Sequence, residues 1–477
     1  MGRWFLAVLC AVSFALLGAG RAAAFSTNDD VSIQMDDGVV LKATLYTPST
    51  PPPAKGYPAI VLFHGLGGKR QDLDFIAKRW ADTYVVLSFD ARGHGQSEGL
   101  TSIDGPREIA DTRAIFDWLA SNTALPAHPL VDSKRIGAWG ISLGGGNVLR
   151  SLVQGVPFAA AEVVETWTNL YSALVPQDLS KSGAIFNFLS SVPADKLDPS
   201  VVAVKDDALT STNLGAVKQF ARLRSSSALL SKVKTPLYFF QGRRDFAFDI
   251  AQAVNGYRLV KGPKKLYIGD FGHSPSKFPG PDIQQVLAEG TRWFARYLLE
   301  TSGSPTKLPF SLSPDPWRGK ARTYKGMPPT GLLRIRFPGG NTLTGIAKSQ
   351  RTVRRLPKSV ETLGSATIRV KATISGGWSK LVAVLTARTP KGKVIVVSEG
   401  GVNTAGERGA HALTIRLLDD ATLIPRGSKL TLTLASSSLA QNPANLLYLD
   451  LPMPPAARIA FGPAQLSLPV LRAPVSR

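Results

Sequence analysis

The chain has 477 residues, of which 44% are hydrophobic and 19% are charged, and its formal net charge is +22. This length and apolar content exclude an intrinsically disordered chain and favour a globular protein of two or three domains. The charge is uneven, because residues 301–477 hold 25 Lys and Arg against 7 Asp and Glu. This net charge of +18 in the last third predicts a C-terminal domain that is much more basic than the rest of the chain.

The N-terminal segment has the pattern of a secretory signal. Arg3 precedes an apolar run over residues 4–17 that is too short to span a bilayer, and small residues precede Phe25. We interpret residues 1–24 as a signal peptide, with a retained membrane anchor as the alternative. The only cysteine, Cys10, lies in this segment, so the mature chain is expected to have no disulfide. No later run approaches the eighteen or more apolar residues of a membrane helix, so no transmembrane segment is expected in the mature chain. A secreted or cell-envelope location is predicted.

The first half of the mature chain has the pattern of an α/β protein. The run "VSIQMDDGVVLKATLYTP" alternates apolar and polar residues around Asp37-Gly38, which predicts an antiparallel hairpin. Further on, apolar runs alternate with amphipathic helical stretches. The runs predicted as buried strands are 58–63, 84–89, 135–139, 159–164, 236–240 and 264–268. This alternation predicts a mostly parallel, doubly wound sheet.

Residues 165–233 separate two of these strands by far more than the usual loop of about two to six residues. The segment contains helix-like stretches. We interpret it as a helical cap inserted over one end of the sheet, where it would shape a substrate pocket. An inert surface insertion is the alternative.

The stretch "WGISLGGGN" places Ser142 in a G-x-S-x-G pattern between a predicted strand and a predicted helix. In this setting the serine stands on a sharp turn, with its hydroxyl exposed above the sheet. Gly140 and Gly144 leave room for the folded chain on either side. Serine needs a neighbouring base to become a good nucleophile. We therefore predict Ser142 as a nucleophile and look for its base.

In this fold the chain order is serine, acid and then histidine. Of the five histidines, only His273 and His411 follow Ser142. His273 comes after the last predicted strand of the sheet and is flanked by Gly272, which leaves it free to point over the sheet. His411 lies in the C-terminal part, in an ordinary strand or surface position. The order therefore predicts His273 as the general base.

Asp245 follows the predicted strand 236–240, at the carboxyl edge where open α/β sheets place their sites. A carboxylate there can accept the Nδ1 proton of His273 and stabilise the imidazolium formed during reaction. Asp249 and Asp270 are the alternatives, although Asp249 is expected in the next helix and Asp270 is close in sequence to the histidine. We predict Asp245 as the acid.

A developing oxyanion needs preorganised donors, and the backbone N–H groups of Leu143 and of Leu66 in "FHGLGG" are predicted to supply them. His64 is expected to brace that loop. The second glycine-rich loop, "DARGHGQSEG", lacks the Lys-Ser/Thr of a phosphate loop and the helix start of a dinucleotide site. We predict that this loop lies at the rim of the site. We also predict that the protein uses no cofactor and no metal.

Residues 303–313 are rich in Ser, Pro and Thr and are interpreted as a linker that follows a catalytic domain over residues 25–302. Beyond it, short alternating runs separated by Gly, Pro and Asn turns predict a basic β-sandwich or jelly roll over 314–477. Its charge would serve either solubility or adhesion to an anionic cell envelope. No basic stripe with interleaved aromatic residues and no zinc-binding spacing indicates nucleic acid.

The motifs "HGLGG", "DARGHGQSEG", "GISLGG", "GRRD" and "GH" resemble those of the α/β-hydrolase superfamily over residues 32–300. The stretches "IPRGSKLTLTLASSSLAQNP" and "ARIAFGPAQLSLPVL" are similar to the closing jelly roll of the cocaine esterase and X-Pro dipeptidyl-peptidase family, and "DGVVLKATLYTP" resembles its opening hairpin. This resemblance implies a capped serine hydrolase joined to a jelly roll. It also implies a triad of Ser142, Asp245 and His273.

The chain departs from that family at two positions. The family usually has a tyrosine just after the nucleophile and a tyrosine side chain in the oxyanion hole, where this chain has Leu143 and Leu66. The sequence predicts a serine hydrolase of carboxylic esters that forms an acyl-enzyme at Ser142. Cleavage of short peptides, including X-Pro peptides, and acyl transfer are the alternatives. A different class, a cell-envelope-binding protein with an inactive hydrolase half, also stays open.

Overall fold

The structure, a computed structural model, describes residues 24–301 and 308–472, apart from residues 122, 126 and 127. The predicted signal peptide therefore lies outside the described residues, except for Ala24, and so do residues 303–307 of the predicted linker. Within the described ranges, no helix has both the length and the apolar composition needed to cross a bilayer.

The N-terminal part alternates strands with helices, as the apolar pattern predicts. Its strands are β1 (Phe25–Gln34), β2 (Val40–Pro48), β3 (Tyr57–Phe63), β4 (Val85–Phe89), β5 (Thr123–Leu125), β6 (His128–Pro129), β7 (Val131–Ile141), β8 (Ala160–Val164), β9 (Leu237–Gly242), β10 (Lys264–Gly269), β11 (Phe310–Leu312) and β12 (Arg322–Tyr324). Its helices are α1 (Asp74–Trp80), α2 (Pro106–Ser121), α3 (Leu143–Val153), α4 (Leu170–Leu174), α5 (Ser182–Ser190), α6 (Pro199–Val202), α7 (Lys205–Thr210), α8 (Leu214–Leu223), α9 (Ile250–Leu259) and α10 (Ile283–Leu298).

Ten of these strands form one sheet in the order β1-β2-β4-β3-β7-β8-β9-β10-β11-β12. The pairs from β4 to β11 in this order are parallel, whereas β1, β2 and β12 join antiparallel at the two edges. Both faces are covered: along β3, Val61 and Phe63 pack into one hydrophobic cluster, and Ile60 and Leu62 pack into another. The predicted, mostly parallel, doubly wound sheet is confirmed.

The opening hairpin is also confirmed. β1 pairs antiparallel with β2, and the turn between them contains Asp37-Gly38. Gly38 has a φ of 84°, a left-handed conformation that glycine adopts at little cost.

The linker over residues 303–313 stays a prediction as a domain boundary, and the structure places a strand at its C-terminal end. Phe310–Leu312 forms strand β11, which pairs parallel with β10, and β12 then pairs antiparallel with β11. Phe310 and Leu312 are fully buried. The Ser and Pro content of the segment hid a three-residue strand, because so short an apolar run has no detectable period of its own.

The C-terminal part consists of antiparallel strands. They are β13 (Thr330–Phe337), β14 (Thr342–Thr344), β15 (Ser349–Arg355), β16 (Val360–Glu361), β17 (Gly364–Ser375), β18 (Lys380–Arg388), β19 (Val394–Asn403), β20 (Gly409–Asp420), β21 (Leu423–Ile424), β22 (Lys429–Ala435) and β23 (Arg458–Leu471). One sheet has the order β13-β23-β17-β20 with β14 on β23, a second has the order β15-β22-β18-β19, and β16 pairs with β21. A shared hydrophobic cluster lies between the two larger sheets. The predicted β-sandwich is confirmed.

Candidate active site

Ser142 stands on the sharp turn between β7 and α3. Its backbone has a φ of 53° and a ψ of −117°, an unfavourable conformation for a side-chain-bearing residue. A Cβ atom at Gly140 would lie 2.3 Å from the Gly144 carbonyl oxygen, and one at Gly144 would lie 2.2 Å from the Phe63 carbonyl oxygen. The two glycines therefore allow the close chain contacts that hold the serine above the sheet.

The structure brings the three predicted side chains together in one hydrogen-bonded chain. Ser142 Oγ lies 3.0 Å from His273 Nε2, and His273 Nδ1 lies 2.8 Å from Asp245 Oδ2. The other carboxylate oxygen, Asp245 Oδ1, accepts hydrogen bonds from the backbone N–H groups of Ala247 at 3.0 Å and Phe248 at 2.9 Å. These bonds fix the plane of the carboxylate, so that Oδ2 faces the imidazole.

The alternative acids and the alternative histidine lie elsewhere. Asp249 stands at the N-cap position of α9, where its carboxylate accepts the backbone N–H of Asp419 at 3.0 Å. Asp270 follows β10. Among the described residues, no hydrogen bond joins either of these carboxyl groups to His273. His411 lies on β20 of the C-terminal part.

Glu165 is a fourth member of the cluster, and the sequence analysis did not single it out. It directly follows β8 with a φ of 40°, is 4% exposed, and its Oε2 atom has no hydrogen-bond partner within the described part of the chain. One ligand atom each of Glu165, Asp245 and His273 lies within 4.8 Å of the others. The available signal was positional, since parallel strands end at one edge and Glu165 follows the strand beside that of Ser142.

Among the described residues, these three side chains are also the one group whose possible ligand atoms lie close enough together to hold a metal ion. However, Asp245 and His273 already hydrogen bond to each other, and His273 reaches Ser142 through its other nitrogen. The arrangement is therefore suited to proton transfer between the serine hydroxyl and the imidazole.

Burial and neighbouring charges together set the pKa of His273. Burial lowers the pKa of His273, but the negative charges of Asp245 and Glu165 outweigh it and raise the pKa to about 9. Burial raises the pKa of Glu165 to about 8, helped by the charge of Asp245 and opposed by that of His273. An ionised Glu165 thus stabilises the imidazolium, whereas a protonated Glu165 leaves His273 free to act as a base.

A buried lysine fixes the loop that carries the acid. Lys181 immediately precedes α5, is fully buried, and its Nζ donates to the carbonyl oxygens of Phe246 at 2.8 Å and Ala247 at 2.9 Å. The segment between β8 and β9 therefore contacts the backbone next to Asp245. The sequence analysis missed this residue, because nothing local marks a lysine as buried.

Two cavities adjoin the triad. The first is lined by Ser142 and by residues of α4 to α8, and its walls are almost entirely apolar. The second is lined by His273 and by residues of the C-terminal part, among them Asn442 and Asn445. Phe188 of α5 lines both, and its ring meets that of His273 edge-on at 5.5 Å.

The two predicted oxyanion donors flank the nucleophile. Leu143 is the first residue of α3, so its backbone N–H has no acceptor within the helix. A Cβ at Gly65 would lie 3.5 Å from Ser142 Cβ, which brings the loop of Leu66 alongside the serine. Both leucines line the first cavity. Their role as oxyanion donors stays a prediction.

His64 braces this loop, as expected. Its Nδ1 lies 2.7 Å from the Gly65 carbonyl oxygen, and its Nε2 accepts the backbone N–H of Ala91 at 2.9 Å. Its ring packs against that of His94 at 5.1 Å. Burial lowers the pKa of His94 to about 4, which keeps this second ring neutral.

Comparison with known proteins supports the architecture. Residues 37–275 match the family model described as X-Pro dipeptidyl-peptidase (S15 family). Among curated proteins, the chain is 37% identical over 134 residues to the quorum-quenching protein AidA of Acinetobacter baumannii, across 28% of this chain and 41% of AidA. It is 25% identical over 284 residues to the acyltransferase drtE of Aspergillus calidoustus, across 50% of this chain and 85% of that protein. The chain thus spans about two fifths of AidA.

Two solved structures share the fold along nearly the whole chain. A CocE/NonD family hydrolase from Staphylococcus aureus has a TM-score of 0.72 and 13% identity, with 94% of each chain covered. An alpha-amino acid ester hydrolase has a TM-score of 0.66 and 14% identity, with 97% of this chain and 100% of that chain covered. At these identities the likeness establishes the fold, including the C-terminal β-sandwich.

Proposed function

Because this chain belongs to the X-Pro dipeptidyl-peptidase (S15) family of hydrolases, we propose that it is a secreted serine hydrolase that cleaves carboxylic esters. The observation that carries the proposal is the hydrogen-bonded chain from Ser142 Oγ through His273 to Asp245, with links of 3.0 and 2.8 Å. This is the arrangement that activates a serine hydroxyl toward a carbonyl carbon.

In the first half-reaction, His273 Nε2 takes the hydroxyl proton while Ser142 Oγ forms a bond to the carbonyl carbon of the ester. Asp245 stabilises the imidazolium through Nδ1. The backbone N–H groups of Leu66 and Leu143 would hold the oxyanion. The carbon–oxygen bond to the leaving group then breaks, and His273 returns the proton to that oxygen. An alcohol leaves and an acyl-enzyme remains on Ser142.

In the second half-reaction, water takes the place of the alcohol. His273 Nε2 removes one proton from the water as its oxygen bonds to the acyl carbon. The bond to Ser142 Oγ then breaks, and His273 returns the proton to the serine. A carboxylic acid is released and the enzyme is regenerated, so the net reaction is ester plus water to acid plus alcohol.

Labelling with a fluorophosphonate probe tests this role of Ser142. We expect the parent protein and the control Ser133→Ala, which changes an exposed serine, to be labelled, and Ser142→Ala to be unlabelled. A folded parent that does not react would contradict the proposal and favour an envelope-binding protein with an inactive hydrolase half. Equal labelling of Ser142→Ala would place the nucleophile elsewhere.

The cavity beside Ser142 favours esters over X-Pro peptides. A dipeptidyl-peptidase must accommodate the free α-ammonium group of its substrate, and burying that charge requires a partner of opposite charge. No Asp or Glu is among the residues described as lining this cavity. Turnover of short p-nitrophenyl esters should therefore exceed turnover of an X-Pro anilide, and release from the anilide alone would reverse this ranking.

Acyl transfer is a second candidate, and the cavity beside His273 favours it. That cavity is lined by the side chains of Asn187, Asn442 and Asn445, which can hydrogen bond to a hydroxylated acceptor. An acceptor held there would compete with water for the acyl-enzyme. Product analysis in the presence of added alcohols distinguishes the two outcomes, because transfer yields a new ester and hydrolysis yields only the acid.

We also propose that the mature protein adheres to the anionic cell envelope through the basic part after residue 301. The charge excess of that part supports this proposal. Attraction between exposed charges weakens as salt shortens the screening length. Retention of the full chain on isolated envelopes should therefore fall steeply with ionic strength, and retention that is indifferent to salt would contradict an electrostatic contact.

A further inference from the structure

Ser142 and His273 line different cavities. The first is lined by Ser142 but not by His273, and the second is lined by His273 but not by Ser142. His273 must protonate the leaving oxygen, so the alcohol part of an ester departs on the histidine side. The acyl part, which stays bonded to Ser142, therefore faces the first cavity.

The walls of the first cavity select the chemistry of that acyl part. They are built from aliphatic and aromatic side chains of the segment between β8 and β9, such as Leu170, Ile185 and Val217, which are 4–6% exposed. Leu66 and Leu143 extend the apolar surface up to the nucleophile. Lys205 is the one charged side chain among the described lining residues. A charged or hydroxylated acyl group would therefore lose its hydration with few partners in return.

The geometry points to an aliphatic acyl chain, longer than acetyl, as the acyl part of the substrate. This inference rests on the proposed ester hydrolysis and adds the substrate class. The residues that line the cavity come from the five successive helices α4 to α8 and from the loops beside Ser142, so its apolar surface extends well beyond the atoms that an acetyl group would contact. Each methylene that enters it is removed from water, which favours the longer chain by about fourfold per group.

A chain-length series on the parent enzyme is the first test, with p-nitrophenyl acetate, butyrate, hexanoate, octanoate and dodecanoate as substrates. We expect kcat/KM to rise from acetate to hexanoate by up to about fourfold per methylene and then to level off. A maximum at acetate with a steady fall thereafter would overturn the acyl-chain inference, yet leave the proposed esterase intact. Absence of turnover for every ester, together with absence of fluorophosphonate labelling, would instead contradict the proposed function itself.

A pair of tryptophan variants is the second test. Ala208 on α7 lines the cavity, whereas Ala203, just after α6, is exposed and does not. We expect Ala208→Trp to lower the ratio of octanoate to acetate kcat/KM by about tenfold or more, because an indole fills space that the chain needs. Ala203→Trp should keep the parent ratio. The ratio cancels the concentration of folded enzyme, so an unchanged ratio in an active Ala208→Trp would overturn the inference, and the parent series decides if that variant does not fold.

Discussion

At the scale of single residues, the environment of His273 sets the pH range in which the site can act. The base must be neutral to accept the serine proton, so kcat/KM should rise as the pH rises through the pKa of His273. Burial opposes the charged form, but Asp245 and Glu165 together raise that pKa to about 9. The acid limb of the profile should therefore lie above the ordinary histidine value of about 6.5.

Substitution of Glu165 by glutamine tests whether the charge of Glu165 raises the pKa of His273. Glu165→Gln keeps the shape but removes a negative charge close to the imidazole, so the pKa of His273 should fall and the acid limb of kcat/KM should move to lower pH. A charge at this distance shifts a pKa by about one unit or more. Glu300→Gln, which changes an exposed carboxylate, should leave the limb in place. Coincident profiles for parent and Glu165→Gln would show that Glu165 does not act on the base.

At the scale of elements, the turn from β7 to α3 determines whether the nucleophile is presented at all. This turn is crowded, since the backbone at Gly144 packs against the Phe63 carbonyl at the end of β3. The contact is possible only because position 144 carries no Cβ atom. The backbone at position 144 therefore packs the start of α3 directly against the end of β3.

Gly144→Ala should lower both stability and activity, because its Cβ would lie 2.2 Å from the Phe63 carbonyl oxygen. Overpacking of this kind costs about 1–3 kcal/mol of unfolding free energy. Gly215→Ala on α8 is the matched control, since no atom lies within 4 Å of its Cβ position. That change should raise the unfolding free energy by about 0.5–1 kcal/mol. Urea unfolding and ester turnover measure both, and equal behaviour of the two variants would refute the crowding argument.

At the scale of the whole molecule, the C-terminal part contacts the loop that carries Asp245, the proposed acid of the triad. Arg243, two residues before Asp245, is fully buried, and its Nη2 forms an ion pair with Glu361 at 2.7 Å. Its Nε donates to the Ala421 carbonyl at 2.5 Å, and its backbone carbonyl accepts the Ala421 N–H at 2.9 Å. The C-terminal part therefore holds this loop through side-chain and backbone bonds.

Arg243→Ala should destabilise the protein and lower kcat/KM. The change leaves the buried Ala421 carbonyl without its side-chain donor, which costs about 1–3 kcal/mol, whereas Glu361 keeps its ion pair with Arg322. The loop that positions Asp245 also loses its anchor on the C-terminal part. Arg318→Ala, which changes an exposed arginine, should have little effect on either measurement. If Arg243→Ala unfolds at the same urea concentration as the parent and keeps full activity, the C-terminal part does not hold the loop of Asp245 in the way described.

Local patterns in the sequence were sufficient for most of the elements and for three side chains, of Ser142, Asp245 and His273, that the structure brings into hydrogen-bonding distance. The opening hairpin, the buried strands and the turn at Ser142 depend on residue spacing and on turn chemistry, which act over a few neighbouring residues. The sequence did not indicate strand β11 at the end of the predicted linker, because a three-residue strand is too short to show a period. The domain boundaries and the oxyanion donors stay predictions.

Only the tertiary structure showed which side chains, distant in sequence, contact each other and which are buried away from water. The serine and histidine are 131 residues apart in the chain and the histidine and acid are 28 apart, yet their side chains lie within hydrogen-bonding distance. The burial of Lys181 and Arg243 and the apolar lining of the first cavity were not recognisable beforehand, and Glu165 had only a positional signal. Burial and charge coupling arise from packing between segments that are remote in sequence, whereas the strand, helix and turn signals are carried by adjacent residues.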